Sequence, residues 1–292
     1  MPKRTDDSAP ILVPRALVTQ LLRLYDYPDP RRPGRVIRGY DRAHALRTAR
    51  MCAAVARRLG HPERRIVSYQ IACLLHDLGR AGLDQELFGK IWSWARTNGI
   101  PTRPREWRAV HPATSYGRET EAFVEKYGTE LDKLGVPLDR WTYEQVEMRL
   151  GYARRLARQL RVAKPKLAAL GVRWAPWMAR VMLFYYYPEK LNGAPDWVRE
   201  LAEILVSCEQ FEAYSNSRRG RDYYTRTKET LADAFAYLDK LRMEGILRAS
   251  VVSTVCELTA EGAFDRILAE ARGTPLSRAE ATYLRERAAG LK

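Results

Sequence analysis

Apolar positions recur at three- to four-residue spacing over most of the chain, and no segment alternates apolar and polar residues for long. The pattern predicts helices and no major sheet. A short apolar helix is expected at 17–25, followed by a loop at Pro28, Pro30 and Pro33. Ala45, Ala49, Cys52, Val55 and Leu59 form one face of a helix over 41–59, with Gly60 as its C-cap and Pro62 opening the next turn. The helix over 63–78 is apolar nearly all round at 71–75, which places it at the centre of the molecule. Gly99, Pro101, Pro104 and Pro112 predict a loop over 98–112. Helices are expected again at 116–134, after Thr142 (a capping box with Gln145), and at 175–187, 195–216, 227–244, 247–270 and 278–289. Ser277 and Glu280 form a second box, with Leu276 placed as a staple. There is no internal repeat and no low-complexity tract.

The 292 residues are 46% hydrophobic and 29% charged, ample for a folded core and inconsistent with general disorder. With 50 basic and 35 acidic residues the formal charge is +15, which favours anionic partners. Cys52, Cys73, Cys208 and Cys256 show no C-x-x-C spacing and sit in apolar contexts. They read as reduced, buried thiols of a cytoplasmic protein. The first 14 residues lack the apolar run of a signal peptide, and no uncharged run is long enough for a transmembrane helix.

The charge is unevenly placed. Residues 148–188 contain no Asp or Glu but carry seven Arg and two Lys. Leu150, Ala153, Leu156, Ala157 and Leu160 share one helical face there; Arg154, Arg158 and Arg161 share another. That second face reads as a solvated basic surface or as a docking patch for a phosphate-rich partner such as nucleic acid.

Only four histidines are present: His44, His61, His76 and His111. His76 precedes Asp77 at the end of the most apolar helix, where burying both is costly unless they bind something. Imidazole and carboxylate together suit Mn, Fe or Zn, and His44 and His111, on separate helices, could complete a site inside a bundle. His61, in a turn after Gly60, reads as exposed. The run Tyr185–Tyr186–Tyr187 reads as packing, or alternatively as a base-stacking surface. No serine or cysteine has a convincing base partner, and there is neither a Walker loop nor a G-x-G-x-x-G fingerprint.

Residues 41–83 read DRAHALRTARMCAAVARRLGHPERRIVSYQIACLLHDLGRAGL. They resemble the HD superfamily of metal-dependent phosphohydrolases, in which a His, a His-Asp pair at a helix end and a distant Asp hold the metal. His44 matches the first His, and His76 and Asp77 match the pair. HDLGRAGL resembles the HD-GYP branch, which usually has Lys at the position of Arg80; His111–Pro112 resembles the His-Pro of that branch. Residues 204–223, ILVSCEQFEAYSNSRRGRDY, resemble the segment carrying the last carboxylate. Glu209 then replaces the Asp, Glu212–Ala213 match an Asp-Ala, and Arg218 matches a recurring Arg. The two adjacent histidines and the signature tyrosine of HD-GYP proteins are absent: the corresponding stretch is Tyr187-Pro188-Glu189, then Asn192-Gly193-Ala194-Pro195. That departure argues against cyclic di-GMP hydrolysis and for one ion rather than two.

The resemblance implies an all-α HD-type bundle over 40–270, with a helical basic insertion at 118–175, an N-terminal extension at 1–39 and a C-terminal helix at 271–292. It implies a divalent metal held by His44, His76, Asp77 and Glu209, with His111 nearby. The activity implied is hydrolysis of a nucleotide or other phosphate ester: Asp77 takes the proton of the attacking water, and Arg80 and Arg218 bind phosphate. The alternative is a catalytically degenerate HD fold that docks nucleic acid or another phosphate-rich partner through Arg154, Arg158 and Arg161.

Overall fold

A computed structural model describes residues 9–39, 41–215 and 230–290. Among them are fourteen α-helices and one two-stranded antiparallel ribbon, β1 (Tyr27–Pro28) paired with β2 (Val36–Ile37). The chain is all-α, as the periodicity predicts. Among the described residues no helix is long and apolar enough to cross a membrane.

The side chains divide between two hydrophobic cores. The first is built on α1 (Arg15–Arg23), α2 (Arg42–Arg58), α3 (Glu63–Leu74), α8 (Tyr152–Ala169), α9 (Pro176–Leu183) and α10 (Asp196–Ser215). It is closed by α11 (Leu231–Met243), α12 (Ala249–Ala260), α13 (Asp265–Arg272) and α14 (Arg278–Ala289). The second holds α4 (Gln85–Thr97), α5 (Pro104–Val110), α6 (Glu119–Lys133) and α7 (Arg140–Leu150). Trp92, Trp107 and Phe123 form its aromatic centre, with ring centroids 5.3–5.7 Å apart.

The second core gathers side chains from Leu83 to Leu150, whereas Leu156, Leu160, Ala163 and Leu167 carry α8, part of the expected basic insertion, into the first core. Residues 9–25 are not an appendage. Gln70 of α3 accepts from the amides of Leu12 (2.8 Å) and Val13 (3.3 Å) and donates to the carbonyl of Pro10 (3.1 Å), so the segment is strapped onto α3.

Several local expectations also shift. α5 lies inside the predicted loop: Pro104 occupies the first turn, where its fixed φ is pre-set and no amide bond is lost, and Trp107 is buried. Asp139, not Thr142, caps α7, accepting from the amide of Thr142 at 2.9 Å. The helix expected at 247–270 is broken by Gly262 at φ 84° into α12 and α13. The Ser277–Glu280 box forms as predicted.

Candidate metal centre

The centre lies where three elements of the first core meet. α2 supplies His44 and packs against α3 and α10. α3 ends at Leu74, earlier than its apolar pattern suggests. The chain then loosens into successive three-residue turns, with the amide of Leu78 donating to Leu75 O (2.9 Å) and that of Arg80 to Asp77 O (2.7 Å). These turns present His76 and Asp77 toward His44.

α8 holds this turn from behind. The Tyr152 hydroxyl donates to the carbonyl of His76. Arg155, buried completely, donates to the carbonyls of Gly79 (2.8 Å) and Ala81 (2.6 Å) and pairs with Glu144 (2.9 Å). Position 79 requires glycine because a Cβ there would stand 2.5 Å from the Tyr152 ring. Tyr25 adds a third brace: its hydroxyl donates to Leu74 O at 3.0 Å and accepts from the amide of Asp77 at 3.2 Å. Burial and the nearby Asp77 push the Tyr152 and Tyr25 phenols up, so both stay protonated donors.

His44, His76 and Asp77 are all buried, and one ligand atom from each falls within 4.8 Å of the others. The two Nε2 atoms are 3.3 Å apart, and Asp77 Oδ2 is 3.7 Å from each. The other ring nitrogens are committed. His76 Nδ1 lies 2.7 Å from Cys73 O, which can only accept, so it is assigned the proton. His44 Nδ1 contacts the carboxylate of Glu212, whose second oxygen accepts from Arg47 at 2.6 Å. With both protons on Nδ1, two Nε2 lone pairs face one another beside a carboxylate, an arrangement that a shared cation satisfies. Two nitrogens each about 2.0–2.1 Å from a tetrahedral ion stand about 3.3–3.4 Å apart, so the donor set fits a divalent metal.

The remaining predicted ligands are not part of that group of three. Glu209 is not within that trio. It lines a void of about 10 Å³ with His76, Asp77, Tyr185 and Tyr186, and its carboxylate accepts from Gln210 at 2.7 Å. His111 sits at the C-cap of α5, where its ring packs 4.2 Å from Trp107 and its Nδ1 is 3.5 Å from Lys126 Nζ. Burial and that ammonium both hold its pKa down. His61 is buried, not exposed, and its Nε2 is 2.8 Å from Glu200. Burial outweighs that carboxylate and keeps the imidazole pKa below its usual value. All four cysteines are buried free thiols.

Arg80 reaches both Asp77 (3.4 Å) and the Tyr186 hydroxyl (3.1 Å), so it stands at the edge of the centre. Arg218 lies outside the described residues. The predicted basic face is largely neutralised by α6 and α7. Arg154 pairs with Glu147 (3.3 Å) and Glu121 (3.5 Å), and Arg158 donates to Glu147 at 2.9 Å; only Arg161 of the three has no ion pair among the described residues. Glu147 escapes an acid count taken over 148–188 because it falls one residue before it.

Sequence reasoning missed three contributors: Glu212 as the partner of His44, and Tyr152 and Arg155 as supports of the turn. A signal for Glu212 exists, since an acid in an otherwise apolar helix stretch three residues after Glu209 must face a cation or a histidine. Tyr185 and Tyr186 separate the small void from a groove of about 500 Å³ that also exposes Arg103, Tyr237 and Lys240. Arg149 is half-buried, and burial together with Arg80, Arg103 and Arg96 pulls its pKa down to about 9. Compared with family models, with curated proteins and with solved structures, the chain matches none.

Proposed function

We propose that this chain is a metal-dependent phosphohydrolase of the HD type, acting on a nucleotide or other phosphate ester. The observation that carries the reading is the convergence of His44 Nε2, His76 Nε2 and an Asp77 oxygen, with each Nδ1 bonded to an acceptor. Two imidazoles and a carboxylate suit Mn, Fe or Zn. Such an ion would polarise a phosphoryl oxygen and lower the pKa of a bound water.

The chain's own groups divide the remaining work. A void of about 10 Å³ is near the volume needed for one water, and three protein donors beside a water-sized space is the pattern of catalytic rather than structural sites. Asp77 and Glu209 both face that void and can accept the proton of the attacking water. Arg80, between Asp77 and Tyr186, can offset phosphate charge.

The test is metal content of the purified protein, wild type beside the His76→Ala/Asp77→Ala double variant, followed by hydrolysis of p-nitrophenyl phosphate and its diester. Stoichiometric metal and metal-dependent turnover in the wild type alone support the reading; a metal-free protein that stays so after reconstitution overturns it. One observation favours a second reading. The void behind Tyr185, Tyr186 and Met182 has room for about one water and none for an ester, as a degenerate HD fold with a purely structural ion requires. Metal binding without hydrolysis of any ester would decide for that reading.

A further inference from the structure

A cleft of about 890 Å³ adjoins the ligand turn at Leu78 and shares no lining residue with the void beside the metal centre. Its walls are the end of α1, strand β1 with the loop after it, the start of α7 and one face of α8; Leu78, the residue after Asp77, also lines it. Tyr27 and Trp141 line it with ring centroids 6.2 Å apart, and Val162, two-thirds exposed, stands at its edge. A volume of roughly 300–1,000 Å³ with an apolar, aromatic lining and a few placed charges is that of a small-molecule site.

The charges are not balanced. The acidic side chains that reach the cleft are already engaged: Asp26 by Arg42, Glu144 by Arg155 at 2.9 Å, and Asp139 by the amide of Thr142 at 2.9 Å. Arg23 and Lys166, also on the lining, are exposed and have no ion pair among the described residues. Arg140 is almost fully exposed, 3.8 Å from Glu144, whereas Arg31, 5.6 Å over the Trp141 ring, is already paired with Asp84 at 2.5 Å. The cleft therefore offers flat apolar walls and uncompensated positive charge at its mouth.

We propose that this cleft is a second binding site, separate from the metal centre, for a small molecule with a flat aromatic body and one anionic group. The body packs along the apolar wall formed by Tyr27, Trp141 and Val162. The anion is met by Arg23 and Lys166.

The test uses 8-anilinonaphthalene-1-sulfonate and its uncharged counterpart N-phenyl-1-naphthylamine, with the whole chain and fluorescence titration. The expected result is one saturable site for the sulfonate, at least tenfold weaker binding of the neutral probe, and displacement by 1-naphthoate at lower concentration than by decanoate. Arg23→Glu/Lys166→Glu should weaken the sulfonate at least tenfold. Arg199→Glu/Arg266→Glu, which changes the net charge equally but lies outside the cleft, should leave it within twofold. All four positions are exposed, so the fold is preserved. Equal weakening by both double variants, equal binding of the neutral probe, equal displacement by decanoate, or no saturable binding would each overturn the proposal.

Discussion

His44 and Glu212 form a buried pair 168 residues apart in sequence, with Nδ1 of the imidazole against one carboxylate oxygen and Arg47 on the other. The carboxylate fixes the tautomer that leaves Nε2 facing His76 and Asp77. Outer partners of this kind typically change metal affinity about 10–100-fold when removed. Glu212→Gln should therefore weaken metal binding by that order in a chelator competition while leaving helicity intact. Unchanged affinity would show that the tautomer is set by something else.

The contact between Gly79 and Tyr152 makes the turn sensitive to a single methyl group. A Cβ at 79 would stand 2.5 Å from the ring. Gly79→Ala should cost about 1–3 kcal/mol in urea unfolding, the usual penalty for overpacking. Tyr152→Phe removes only the bond to the carbonyl of His76 and should cost about 1–2 kcal/mol. A neutral Gly79→Ala would mean that α8 can move away from the turn.

Arg155 carries a larger share. It holds two carbonyls of the turn and pairs with Glu144 from a fully buried position. Truncation to Ala strands all three partners, and the expected loss is about 3–5 kcal/mol. Thermal denaturation of Arg155→Ala beside the exposed Arg161→Ala, expected to be neutral, gives the comparison.

Glu147 provides a pH-dependent term. Burial would raise its pKa, but Arg158 and Arg154 more than offset this and hold it below the usual value. A depressed folded-state pKa contributes stability that is present above the unfolded value, near 4.3, and is lost as pH falls through the folded one. Glu147→Gln should cost about 1–2 kcal/mol at pH 7 in low salt, reduced by screening because both arginines are partly exposed. Its difference from wild type should shrink as pH falls below about 4.3 and vanish below the folded-state pKa. A difference that stays constant between pH 7 and 3 would remove the ion pairs from the account.

Much of this was legible in the chain itself. The periodicity marked α2, α3 and α10, and the scarcity of histidine singled out His44, His76 and Asp77, which the fold brings together. His111 had the same chemistry and a suggestive proline after it, but its ring packs on Trp107, a preference that no spacing encodes. The basic stretch misled for a related reason. Helix α8 was read by its charges, whereas its neutralising acids sit on α6 and α7 and appear only when those helices fold against it. Boundaries failed where long-range contacts override local pattern: α3 stops at Leu74 because the turn after it is bonded to Tyr25, Tyr152 and Arg155.

The second core leaves and rejoins the first almost at one point. Ala81, where the chain departs, is bonded at 2.6 Å to Arg155, just beyond Leu150, where it returns. A unit whose two ends meet is topologically a side branch, the arrangement produced when one domain is inserted into a surface loop of another. Loops within residues 83–150 can thus lengthen without rethreading the bundle that carries the histidines. The clasp at the neck of the branch, Ala81 with Arg155, therefore anchors departure and return together.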